Sequence, residues 1–340
     1  MMRLMKSKTV LPPIFLLASL AFATPTVDLP FGTWKRASNE PILSPQGTTW
    51  ESAGTFNPAV IFVRRNVLFQ TYPFPKPVQV VMVYRAQDAS GTSRLGYAES
   101  KDGIHFIRRP EPVLSPETDY EKDGGVEDPR LQRFGDTYYL TYTGYNKKDA
   151  QLCLATSLDL IHWDRKGVIL PAYKGNWNKG WTKSGAVVPI KIDGKYWMYW
   201  LGTAADKTDQ MGLSYSTDLL HWTEATNTPV LPRRSGMFDS RVVEPGPPPF
   251  LTPEGIVLIY NGADDNLVYR VGVAVFDRND PRKLLSRSDT PIFAPERDWE
   301  NVGQVPNVVF VEGMVQMKNR FFFYYGAADK YVGVAEAKAK

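Results

Sequence analysis

The residues best suited to chemistry lie in Gly124–Leu131, "GGVEDPRL", where two adjacent carboxylates, Glu127 and Asp128, precede a proline and Arg130. Polar residues recur in matching stretches: Asn57 in "FNPAVI", Lys183 and Ser184 in "WTKSGA", Glu244 in "VVEPGPPPF" and Asn307 in "VPNVVF". A proline restricts the residue before it to extended conformations, so Asn57 and Asp128 are expected to be held extended. Strand alternation would then return Arg130 to the face of Asp128 and turn Glu127 away from it. Such a set suits a carbohydrate, whose hydroxyls need several partners. Cleaving a glycosidic bond takes two carboxyl groups, about 6.5–9.5 Å apart where the anomeric centre inverts. Asp128 and Glu244 are the candidate pair, from different parts of the chain. The competing reading of Glu127, Asp128 and Arg130 is a structural ion-pair network, which also collects charge.

Internal repetition supplies the elements that must position these groups. "SKDGIHF", "SLDLIHW" and "STDLLHW" are variants of one phrase and place His105, His162 and His221 57 and then 59 residues apart. Each phrase follows an alternating segment and precedes a Val-Leu or Ile-Leu segment. Five copies of an aromatic or β-branched strand recur: "VVMVYRA", "TYYLTYTGY", "KYWMYWLGT", "IVLIYNGAD" and "FFFYYGAAD". Turn signals such as "FGDT", "IDGK" and "TPEG" separate them. Short strands repeated five times predict an all-β fold, a five-bladed β-propeller with a four-stranded blade per copy. The polar stretches open the first strand of each blade and would converge on the central channel. Tryptophans beside the expected cavity mouth, Trp50, Trp177 and Trp181, are candidate stacking platforms or packing residues.

The chain has 340 residues, 40 basic against 36 acidic, and 13 % aromatic content. Lys and Arg are scattered, which speaks against nucleic acid as a partner. The charged start "MMRLMKSK", the short apolar stretch "VLPPIFLLASLAF" and the small residues at Ala21–Ala23 read as a cleaved secretory signal over 1–23. Residues 24–340 are then a single propeller domain, secreted or periplasmic, with no membrane association after cleavage. The single cysteine, Cys153, reads as a small buried hydrophobe. The three histidines are the whole of that residue type. Their shared repeat position assigns them to turns rather than to a metal. No metal or cofactor motif stands out.

Taken together, "FNPAVI" (56–61), "VYRA" (83–86), "SRLGYAESKDGIHF" (93–106), "GGVEDPRL" (124–131), "GPPPF" (246–250), "VPNVVF" (305–310) and "YYGAAD" (324–329) resemble glycoside hydrolase family 130, the β-mannoside phosphorylases and related β-mannosidases. The resemblance covers nearly all of the chain after residue 23. It implies a mannose-containing oligosaccharide as substrate and Asp128 as general acid, protonating the glycosidic oxygen through the 3-hydroxyl of the mannosyl ring. It further implies sugar contacts at Asn57, Arg85, Arg130 and Asp329, and a place for Lys183 near the phosphate region. The chain departs from the phosphorylase pattern in two ways. Its strand "KYWMYWLGT" carries Tyr199 and Trp200 where many family phosphorylases place a His-Arg pair. Glu244 stands where they show a small residue. A carboxylate there would repel phosphate and could activate water as a general base. With the signal segment, these departures point to an inverting hydrolase acting on β-mannosides. The alternatives are a phosphorylase releasing mannose 1-phosphate and a non-catalytic glycan-binding propeller.

Overall fold

The computed structural model describes residues 28–63 and 80–340; the expected signal segment, 1–23, lies outside them. The described chain is all-β apart from one short helix. A two-residue strand comes first, β1 (Lys35–Arg36). Then come β2 (Gly54–Phe62), β3 (Val80–Gln87), β4 (Ser93–Ser100) and β5 (Phe106–Arg108). The next set is β6 (Gly125–Phe134), β7 (Thr137–Tyr145), β8 (Ala150–Ser157) and β9 (Asp164–Leu170). The third is β10 (Thr182–Val187), β11 (Tyr196–Thr203), β12 (Asp209–Ser216) and β13 (Thr223–Glu224). The fourth comprises β14 (Val242–Pro245), β15 (Phe250–Thr252), β16 (Gly255–Ala263), β17 (Tyr269–Phe276) and β18 (Leu284–Arg287). Helix α1 (Asp298–Asn301) leads to β19 (Val309–Met317), β20 (Arg320–Ala327) and β21 (Tyr331–Lys338).

Within each set, successive strands pair antiparallel, as their short turns require; in the fourth, β14 and β15 both pair with β16 and together act as its first strand. In the last set β1 returns from the N-terminal side to pair with β21, Lys35 opposite Glu336 and Arg36 opposite Ala335. Single parallel pairs join some sets end to end: Ser93 with Gly125, Asp209 with Val242 and Tyr269 with Val308.

The core lies between the sets rather than within them. Val83, Leu95 and Tyr97 of the first meet Leu131, Leu140 and Tyr142 of the second. Leu152 and Leu154 meet Met198 and Trp200, and Tyr199 and Leu213 meet Leu258 and Tyr260. Val257 and Val273 meet Val311 and Phe323. Finally, Met82 and Tyr84 of the first set meet Phe322 and Tyr324 of the last. Every middle strand is therefore buried on both faces, which explains runs such as "YWMYWLG" that do not alternate.

The three histidines sit where the repeat places them. Each pairs with an aspartate three residues earlier, which accepts from the ring Nδ1 at 2.7 Å (Asp102, Asp159 or Asp218), and each is more than four-fifths exposed. Cys153 is fully buried beside Tyr142, and burial pushes its thiol up to about 12.

Candidate active site

A local irregularity builds the site. In four sets the first strand holds one residue more than its partner, between Phe56 and Pro58, Glu127 and Arg130, Lys183 and Ala186, and Val311 and Gly313. A bulge of this kind leaves the extra residue unpaired and re-aims its side chain. Asn57, Asp128 and Ser184 lie in these bulges with φ of 48°, 49° and 58°. The extended conformation expected before Pro58 and Pro129 is therefore not adopted. Asn307 and Asp329 share the left-handed region, at 60° and 50°. Non-glycine residues there cost roughly 1–3 kcal/mol each and gather at functional sites.

The bulges bring one cluster together. Asp128 accepts from Asn57 Nδ2 at 2.7 Å and from Arg85 Nη1 at 3.0 Å. Arg85 Nη2 bonds Glu127 at 2.6 Å, and Ser93 Oγ bridges the two, 3.0 Å from Arg85 Nε and 3.1 Å from Glu127. Glu127 thus braces Arg85, and the guanidinium lies over the Phe56 ring at 4.6 Å. Ser184 donates to Glu244. Lys183 packs its ammonium 5.3 Å from the Trp181 ring centre, and Asp128, Glu244, Glu127 and Asp209 together keep it charged against the effect of burial. Arg85, Lys183 and Asp329 keep partial contact with solvent, whereas Asn57, Glu127, Asp128, Ser184 and Glu244 beside them are buried.

Electrostatics divides the carboxylates. Burial pushes Asp128 up, but the Arg85 and Lys183 charges, the Asn57 amide and Arg130 outweigh it and leave its carboxyl at about 2. Burial dominates at Glu244, which rises to about 7 against Arg130, Lys183 and Ser184. Asp329 rises to about 6 through burial, with Asp128 and Glu127 adding to the rise and Arg85 and Lys183 opposing it. In the free site Asp128 is the charged partner, whereas Glu244 and Asp329 hold protons more readily, as does the deeper Glu312, which burial raises well above the ordinary carboxylate value.

Arg130 does not share the outward face of Asp128. The extra residue in the bulge reverses the alternation, so Arg130 is 1 % exposed and points inward. Its Nη2 donates to Pro245 O at 2.7 Å and its Nη1 to Asp128 O at 3.1 Å. Nη1 also stands 2.6 Å from Glu312 Oε1, off the N–H direction, so this contact is a charge pairing rather than a directed hydrogen bond. Asn307 is likewise apart: its carbonyl accepts from Tyr269 N, and among the described residues no hydrogen bond joins its side chain to the cluster. Trp50 and Trp177 are packing residues, stacked on Tyr84 and Trp200 respectively, while Trp181 stays partly exposed beside Lys183.

Three charged or polar neighbours escape the reading of first strands. Glu312 is the bulged residue of β19 and is fully buried in an apolar run. Asp209 and Tyr269 open the third strands of their sets, at the position Ser93 holds in the first. Asp209 accepts from Thr203 Oγ1 at 2.6 Å and burial raises it, while Tyr269 is raised by burial and by Glu244, Asp209, Asp329 and Asp128. A residue-by-residue comparison of the third strands, where these acids and the tyrosine break the repeat, contains that signal.

Known proteins place the chain. A family model described as beta-1,4-mannooligosaccharide phosphorylase matches residues 32–340. The chain is 38 % identical over 317 residues to a 1,2-beta-oligomannan phosphorylase of Thermoanaerobacter sp. (strain X514), covering 90 % of this chain and 97 % of the relative. It is 36 % identical over 305 residues to a beta-1,2-mannobiose phosphorylase of the same organism, covering 88 % and 95 %. A solved structure, "The GH130 family of mannoside phosphorylases contains glycoside hydrolases that target beta-1,2 mannosidic linkages in Candida mannan", superposes with a TM-score of 0.78 at 35 % identity, covering 98 % of this chain and 99 % of that one. On this evidence the chain belongs to glycoside hydrolase family 130.

Proposed function

We propose that the protein cleaves β-1,2-mannosidic bonds with inversion, at a cavity on the axis of a five-bladed β-propeller, with Asp128 as the proton donor. The observation that carries this is the convergence of Asn57, Arg85, Glu127 and Asp128 from two repeats onto one bulge-built cluster, in a chain whose relatives act on β-1,2-mannosides. Shared cores between successive strand sets, and between the last and the first, support radial closure. Asp128 is ionised in the free site. Its proton is loaded after the sugar excludes water, because desolvation favours the neutral carboxyl. Asn57, Arg85 and Asp329 hold the mannosyl hydroxyls.

The curated relatives favour phosphorolysis over the hydrolysis expected from sequence, with inorganic phosphate attacking the anomeric carbon and Lys183 among its partners. One observation favours hydrolysis as a second reading: Glu244, buried in the same cluster and raised to about 7, has the value of a general base for water. The proposed secretory signal agrees with hydrolysis, since a secreted phosphorylase would release its sugar phosphate outside the cell. Incubating the protein with β-1,2-mannobiose, with and without phosphate, separates the two. Mannose 1-phosphate formed only with phosphate establishes phosphorolysis; two mannoses formed without phosphate establish hydrolysis. No turnover in either condition overturns both and leaves glycan binding.

A further inference from the structure

Four of the five strand sets carry the same buried triad away from the catalytic cluster. A tyrosine on the second strand and an arginine on the fourth both bond one carboxylate. In the first set these are Tyr84 and Arg108 on Glu51, each at 2.9 Å. In the second they are Tyr142 and Arg165 on Glu121, at 2.8 and 3.1 Å. In the fourth they are Tyr260 and Arg287 on Asp239, at 2.7 and 2.6 Å. In the last they are Tyr325 and Arg36 on Glu300, at 2.8 and 2.7 Å. Register fixes the equivalence: the arginines face Ala98, Ala155, Ala274 and Ala335.

The third set replaces every member. Trp200 stands for the tyrosine and Glu224 for the arginine, facing Ser214 in place of alanine. Asn178 takes the carboxylate's place: a Cβ on Gly175 would lie 2.8 Å from Asn178 Cβ and 3.1 Å from Glu224 Oε1. Where four sets hold a guanidinium, this one opens a cavity of about 320 Å³, lined by Trp200, Trp222, Asn178, Thr182 and Glu224.

The polar atoms left there are mismatched to one another. Glu224 Oε1, Trp200 Nε1 and Ser214 Oγ are buried and find no hydrogen-bond partner among the described residues. The nearby Lys179 ammonium is turned to the carbonyls of Gly175 and Asn176 instead of Glu224. Glu224 Oε2 accepts from Asn176 N, which leaves Oε1 as the open acceptor; a buried carboxylate oxygen and a buried indole N–H are each costly when left without a partner. The two ask for a group that accepts and donates at once. A hydroxyl does both, whereas a cation would satisfy the carboxylate and be opposed by the donor-only indole. Trp200 is fully buried and stacked on Trp177, so of the lining indoles it is the partly exposed Trp222 that is open to a sugar, and indole faces suit the C–H face of a pyranose ring.

We propose that this cavity is a second saccharide-binding site, separate from the catalytic cluster, which seats a pyranose with one hydroxyl bridging Glu224 and the Trp200 indole. It opens beside the 171–181 loop that leads into β10, the strand that carries Lys183 and Ser184. The choice of mannose as ligand rests on the proposed function; the existence of the site does not.

The test is a titration of the ¹⁵N-labelled full chain, following the Trp200 indole N–H resonance, with D-mannose, β-1,2-mannobiose, glucose and guanidinium as separate probes. A saturable shift with a sugar is expected. Response to free mannose marks a monosaccharide seat, and response to mannobiose alone marks a seat for a distal sugar of a longer chain. Glucose binding without mannose binding would keep the site and remove the mannoside reading. Glu224→Gln should weaken binding at least about tenfold, the size of a hydrogen bond to a charged group. The combined variant Asn178→Glu, Trp200→Tyr, Glu224→Arg rebuilds the triad of the other sets; it should fold and turn over substrate, with the second site lost. That loss is read as a missing binding phase in calorimetry. A Trp200 resonance unmoved by any sugar up to about 50 mM, or moved by guanidinium alone, overturns the proposal.

Discussion

Asp128 and Glu244 occupy one cluster yet are driven to opposite protonation states, because two cations and an amide face the first while burial governs the second. Replacing Asp128 by Asn should lower kcat by a factor on the order of 10²–10⁴, the usual contribution of a positioned acid, with saccharide binding retained in calorimetry. Unchanged turnover would remove Asp128 from the role. The pH dependence adds a second check. If the sugar loads the proton, the basic-limb pKa in kcat lies above that in kcat/KM, since these report the bound and free site respectively. Equal values would contradict loading on binding. Glu244 also shapes stability. Its ordinary value of 4.5 rises to about 7 in the fold. Between these values the folded state holds a proton that the unfolded state has lost, so stability falls as pH rises through that window. Glu244→Gln should therefore raise the melting temperature at pH 8 and change it little at pH 4; the reverse order would contradict the buried, raised carboxyl.

The bulged first strand is the element that makes the site. It brings Asn57 into contact with Asp128, Asp128 with Arg85 and Ser184 with Glu244 and, by reversing parity, commits Arg130 to the interior. The entry to β6 depends on Gly125, whose φ is 114° and whose place leaves a would-be Cβ 2.1 Å from Ser93 O. Gly125→Ala should cost at least about 1–3 kcal/mol from the backbone conformation alone. It should also lower activity by displacing Ser93, which holds Arg85 and Glu127. Denaturant unfolding and turnover at low temperature read the two effects separately. A variant with wild-type stability and rate would show that strand entry has slack the geometry does not suggest.

The whole molecule depends on β1 completing the last strand set. Arg36 carries the join: it bonds Glu300 at 2.7 Å through Nε, and the Glu300 side chain is 0 % exposed. Arg36→Ala leaves that carboxylate buried without its cation. Breaking one side of such a pair costs about 3–5 kcal/mol, to be read as a shift of the urea midpoint at constant slope. A loss below about 1 kcal/mol, the worth of a surface pair, would mean that β1 is not a closing element.

Repetition made the strand sets legible, because spacing and turn chemistry are local and each copy confirms the others. Breaks in that repetition pointed to Asp128, Glu244, Asn57 and Lys183, since a scaffold has no use for irregular polar residues. Family membership was likewise carried by contiguous motifs. The direction of individual side chains was not available locally. One added residue in a strand reverses every face beyond it, and whether it is accommodated as a bulge depends on pairing with a strand far along the chain; hence Arg130 points inward. Glu312, Asp209 and Tyr269 join the site only through neighbouring strand sets. The protonation states of Asp128 and Glu244 were decided last of all, because burial and charge act through space and follow the assembled cavity rather than the order of residues.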